Sequence, residues 1–142
     1  MQITSLSEVF NLYIQFAGCC ILYANLYPLI HRFLCYNQSY LKLPQYKKMY
    51  IVKNILKSIM MLYLCIETYE HLYDLIILNK FNMNIVRWWG SLYVANDVTG
   101  LLMVEKLPTN TRNHHIMTLL LLNVVFLFDG NEMEIVKFIL IY

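Results

Sequence analysis

Apolar positions in this chain come in long blocks rather than short alternations, and the blocks predict helices. Val9 to Ile30 contains no Asp, Glu, Lys or Arg. At about 1.5 Å per residue such a run crosses a hydrocarbon layer roughly 30 Å thick. Ser7 with Glu8 supplies a helix start, and Pro28 followed by His31-Arg32 marks the exit. No basic leader precedes the run and no small-x-small cleavage site follows it, so the segment is expected to be retained.

A first loop is predicted from Arg32 to Lys48, with a second helix from about Tyr50 to Leu78. That helix is uncharged from Ser58 to Ile66, with Lys53 and Lys57 before the uncharged part and Glu67, Glu70, His71 and Asp74 after it. At 100° per residue Lys53, Lys57, Glu67, His71 and Asp74 share one stripe, which should face other helices or a wet cavity rather than lipid. A turn at Phe81–Asn84 leads to a third helix from about Arg87 to Val104. It opens with Trp88-Trp89, suited to an interfacial belt, and carries Asp97 near its middle. Glu105 to Asn113 reads as a loop broken by Pro108. A fourth helix is expected to open at His114-His115, run through Ile116–Phe128 and end at Asp129-Gly130. Glu134 to Tyr142 is too short to span and predicts only part of a fifth helix, as in an incomplete bundle or an end lying at the interface.

The expected fold is therefore all-α: one polytopic transmembrane bundle over residues 1–142, with about four full helices and a partial fifth. Composition agrees, with 59% hydrophobic and 14% charged residues against about a quarter charged in ordinary chains. A net charge of +2 without a basic run interleaved with aromatics gives no reason to expect nucleic acid. Cys19, Cys20, Cys35 and Cys65 form no metal-ligand spacing and read as packing residues, so no metal site is expected. Arg32, Lys42, Lys47, Lys48, Lys106 and Arg112 fall in the first and third loops, against Lys80, Arg87 and Lys137 on the other side. This bias places the first and third loops in the cytosol.

Candidate chemistry centres on His114-His115 and Asp97. Counted along antiparallel helices from the third loop, Asp97 and His115 reach similar depths, so a carboxylate can orient an imidazole there. An oriented imidazole can act as a general base on an amine or hydroxyl, or accept an acyl group. Thr118, four residues beyond His114, lies on its face and could bind a substrate carbonyl. Glu67, His71 and Asp74 are weaker substrate-binding candidates as walls of a polar cavity.

Two motifs resemble the TLC family, which groups ceramide synthases, translocation-associated membrane proteins and lipid-regulating proteins. Tyr93-Val94-Ala95-Asn96-Asp97 is similar to the family's Gly-Tyr-Phe-Ile-Tyr-Asp stretch, with Leu92 in place of the glycine. His114, His115 and Thr118 follow the ceramide-synthase spacing His-His-x-x-Thr. The resemblance covers roughly Tyr50 to Phe128. It implies catalytic roles for His114, His115 and Asp97, substrate contacts at Tyr93 and Thr118, no bound cofactor, and acyl-CoA as a co-substrate if the chain is an enzyme. The later His-Asp and Asp-x-x-Asp cluster of ceramide synthases is missing before Tyr142. The expected function is thus binding or sensing of membrane lipids to adjust lipid composition. A sphingoid-base N-acyltransferase and a small transporter or assembly subunit are the alternatives. Expected partners are membrane lipids, with a second copy or another membrane protein as candidates. The expected location is the endoplasmic reticulum or another internal membrane rather than the plasma membrane.

Overall fold

A computed structural model describes residues 2–77 and 82–129 of the chain. The partial fifth helix expected at Glu134–Tyr142 and Phe81 of the expected turn lie outside these residues.

The fold is helical. Helix α1 runs over Leu6–Leu34, a short α2 over Gln38–Leu41, α3 over Gln45–Ile76, α4 over Met83–Met103 and α5 over Thr109–Leu127. Two residues at each end of this order, β1 (Gln2–Ile3) and β2 (Phe128–Asp129), pair antiparallel. Helix α4 is the hub, packing against α1, α3 and α5, while α1 also lies along α3.

Several boundaries differ from the sequence reading, each for a local reason. Helix α1 starts two residues early because Ser5, not Ser7, caps it, its hydroxyl accepting from the Glu8 N–H at 3.4 Å. It also continues through Pro28 to Leu34. One missing N–H in a long apolar helix does not end it when neighbouring helices hold the chain. Helix α5 begins at Thr109, directly after Pro108, so the expected loop Glu105–Asn113 is largely helix and the paired histidines lie in its second turn. Proline at a helix start costs no hydrogen bond, since the first N–H groups have no partner within the helix anyway.

The interior holds several polar side chains within an otherwise apolar core, and many large apolar side chains face outward. Arg87, Asn96, Asp97, His115 and Ser91 are almost completely buried, as is Lys53. Phe10, Ile21, Leu29 and Phe33 on α1, Leu62 and Ile66 on α3, and Met117 and Leu120 on α5 are exposed. Outward polar side chains turn back onto their own helices: Ser58 Oγ donates to the Asn54 carbonyl at 2.9 Å, Thr68 Oγ1 to Leu64 at 2.7 Å and Asn25 Nδ2 to Ile21 at 2.7 Å. Leu6–Leu34 and Gln45–Tyr69 are long and apolar enough to cross a membrane. Two such helices, rather than the four expected, meet that description among the described residues. Helices α4 and α5 are shorter, with 21 and 19 residues.

Arg87 shows why α4 is the hub. The sequence pattern set it at the start of the helix, but α4 begins a turn before it and buries it. Its guanidinium donates to the Val125 carbonyl at 3.3 Å, to Glu8 Oε1 at 3.1 Å and to Thr4 Oγ1 at 2.9 Å. Thr4 N–H also donates to the Leu127 carbonyl at 3.1 Å. The carbonyls of Val125 and Leu127 sit in the last turn of α5, where no helical N–H remains for them. The amino-terminal segment and Arg87 together therefore cap α5. Replacing Arg87 by Met, which keeps the stem and removes these bonds, is expected to cost about 2–4 kcal/mol. A lowered unfolding midpoint in detergent would register the loss. Glu8→Gln should cost less, because the Glu8 side chain is 49% exposed.

Candidate functional site

Five residues from three helices gather around one carboxylate, that of Asp97. Asp97 lies on α4 about six residues before its end, and His115 on α5 about six residues after its start. The antiparallel pair therefore brings both to one level. Tyr93 is one turn from Asp97 on the same face of α4, His114 and Thr118 flank His115 on α5, and Lys57 reaches in from α3.

Asp97 is fully buried. Its Oδ1 accepts from Lys57 Nζ at 3.1 Å, and the same ammonium donates to Tyr93 Oη at 3.1 Å. Oδ2 accepts from Thr118 Oγ1 at 3.4 Å and lies 2.9 Å from His115 Nδ1. The imidazole contact is close but poorly aligned, and among the described residues neither ring nitrogen of His115 makes a directed hydrogen bond. His115 is thus a charge neighbour of Asp97 with Nε2 left unpartnered. Thr118 Oγ1 also donates to the His115 carbonyl at 2.9 Å, tying the hydroxyl to its own helix. Tyr93 Oη lies 3.4 Å from His114 Nε2, and the two histidine rings are 5.7 Å apart. The Lys57 ammonium sits 4.6 Å from the centre of the Tyr93 ring, so the tyrosine holds it by face and by hydroxyl.

The group is graded from inside to outside. Asp97 and His115 are sealed, the Lys57 side chain is 27% exposed, and His114 is exposed. An approaching molecule would meet ammonium, phenol and imidazole before the carboxylate. The ligand atoms of Asp97, His114 and His115 lie within 4.8 Å of one another, a spacing that could hold a metal ion. Lys57 already supplies a positive charge at Asp97, which disfavours a second cation there.

The structure thus brings together Asp97, His114, His115, Tyr93 and Thr118. It adds Lys57, which the sequence reading left in the charged stripe of α3 without a partner. Glu67 and His71 of that stripe lie elsewhere. Glu67 is exposed, and His71 packs against Trp89 with ring centres 5.6 Å apart. Both lie ten or more residues along α3 from Lys57, so they do not join the Asp97 group. The Asp74 side chain lies outside the described residues. Reading Lys57 and Asp97 as partners was open to the sequence: each interrupts a long apolar run, and a charge in such a run needs an opposite charge near it.

Compared with family models, curated proteins and solved structures, the chain matches none. What stands is a helical bundle with an apolar exterior and a buried lysine–aspartate–histidine group.

Proposed function

We propose that this chain is an integral membrane protein of internal membranes, TLC-like, that binds the polar end of a lipid at the mouth of the Asp97 group and adjusts lipid composition without turnover. The observation that carries this reading is the grading of the site: a sealed carboxylate and imidazole behind a partly open ammonium, phenol and imidazole, all within helices whose outer surfaces are apolar. A lipid is the ligand whose chain can lie against those apolar outer surfaces while its head reaches a polar centre at membrane depth. The TLC likeness rests on residue spacing. The pairing of Tyr93 with His114 and of Asp97 with His115 supports it, because each pair joins one TLC-like motif to the other.

Acyl transfer is the second reading, favoured by His115 against Asp97 with a free Nε2. The transporter reading gains no support, since Glu67 and His71 do not line a path with Asp97.

Purification in mild detergent followed by native mass spectrometry tests the proposal. Wild-type protein should retain lipid, and Lys57→Met combined with His114→Ala should reduce retention about tenfold if two polar contacts to the headgroup are lost. A folded protein recovered without detergent, or a folded, detergent-solubilised protein that retains no lipid, would refute it.

A further inference from the structure

Around Asp97 the interior holds more lysines than carboxylates among the described residues. Lys53 and Lys57 are one turn apart on α3, and among the described residues Asp97 is the one carboxylate near them. Lys57 takes that carboxylate at 3.1 Å. Lys53 is 3% exposed, yet it makes no ion pair or hydrogen bond among the described residues. Its ammonium has the Tyr50 ring, 5.8 Å from the ring centre. A single cation–π contact is a weak partner for a buried ammonium.

The lysine is held in this place rather than left there by chance. Its stem lies flat across α4 at Gly100, where a Cβ would come within 2.7 Å of Cε and 2.9 Å of Cδ. Glycine opens the groove that the stem fills. The ammonium is directed toward Tyr50, the loop end of α3. There Lys106 lies 5.3 Å from the Tyr46 ring and Lys48 5.9 Å from the Tyr40 ring. Along α3 Lys53 thus stands between the loop-end Lys48 and Lys57, the partner of Asp97. Charges on the loops put this side in the cytosol, the side whose leaflet carries anionic lipid.

We propose that Lys53 and Lys57 bind the phosphate of an anionic lipid headgroup between α3 and α4, a specificity that rests on the lipid-binding reading above. A phosphate supplies the charge the interior lacks, and the two ammoniums can hold it as neighbouring points of positive charge. The same balance opposes a divalent cation at Asp97, His114 and His115, which would enlarge the surplus.

Protein in nanodiscs of phosphatidylcholine, with or without phosphatidic acid, supplies the test. Wild type should be protected against heating by phosphatidic acid and prefer it over phosphatidylcholine about five- to tenfold in lipid exchange. Lys53→Met keeps the stem over Gly100 and removes the charge. It should cut the preference below about twofold, while the unfolding midpoint in pure phosphatidylcholine stays equal or rises, because an unbalanced charge has gone. Lys53→Arg should retain the preference. A preference unchanged in Lys53→Met, or a midpoint in phosphatidylcholine that falls in that variant, would overturn the assignment. Equal protection by inorganic phosphate alone would assign the site to free phosphate and overturn the lipid source. Bound phosphatidylcholine with no preference for phosphatidic acid overturns the anion assignment alone, whereas no bound lipid of any kind overturns the reading beneath it.

Discussion

Replacing Asp97 by Leu is expected to destabilise the bundle by about 2–4 kcal/mol, among the largest effects of any single change in this chain. The loss does not come from the strength of one ion pair. Moving a carboxylate and an ammonium out of water costs roughly what their attraction returns, so the pair as a whole is nearly neutral. What costs is breaking it on one side. Without Asp97, Lys57 and Lys53 share an interior with no carboxylate among the described residues, and Thr118 loses an acceptor. Partial exposure of Lys57 lets it reach toward water, which places the effect below that of a sealed pair. The double variant Asp97→Leu with Lys57→Met should recover most of the loss, and a double-mutant cycle should return a coupling of at least about 1.5 kcal/mol. Equilibrium unfolding in detergent gives all four stabilities. Simple addition of the two single effects would mean that the contact at 3.1 Å contributes nothing.

The second large effect concerns chemistry. If His115 or His114 does acid–base or acyl-accepting work, alanine at that position should lower acyl transfer by about 10²–10⁴-fold while expression and membrane insertion persist. His115 is the stronger candidate by geometry: it is sealed, its Nδ1 faces Asp97 at 2.9 Å, and its Nε2 is unpartnered. His114 is exposed and engages Tyr93, a placement that suits contact with a ligand more than proton transfer. Asp97→Asn separates charge from shape. It preserves the volume beside the imidazole and removes the charge that stabilises imidazolium, so an enzyme should lose rate and shift its pH optimum. Purified protein given radiolabelled acyl-CoA with a panel of amines and alcohols provides the measurement. Product dependent on either histidine would displace the non-catalytic proposal in favour of the acyltransferase. For the non-catalytic proposal, the expected result is no product and a modest loss of lipid retention in His114→Ala.

Helix type was legible in the sequence because it follows from local composition. An uncharged run of some twenty residues has few alternatives to a helix, and Val9–Ile30 lies wholly within α1. The meeting of Asp97 with His115 was legible too, since a short connection forces α4 and α5 antiparallel and the helical rise sets their depths. Boundaries were less so. Pro28 and Pro108 each read as breakers, yet one is carried inside a helix and the other stands at a helix start. A proline's effect depends on which N–H it removes and on what holds the chain nearby.

Partner choice between distant helices was decided only in three dimensions. The stripe on α3 grouped Lys53, Lys57, Glu67 and His71 by angle, but angle around one helix does not say how far along it a neighbour reaches. Only the crossing of α3 with α4 gave Lys57 to Asp97 and laid Lys53 over Gly100, leaving Glu67 exposed and His71 against Trp89. Arg87 makes the same point: its place at a predicted helix start said nothing of burial, which depends on Glu8, Thr4 and Val125, two of them some 80 residues away. The sequence by itself determined which segments are helical and at what depth each charge lies along its helix, because both are local properties of one segment. Which charges face one another, and which one is left without a counter-charge, depends on the rotation and offset of each helix against its neighbours, and those exist only once the helices are packed.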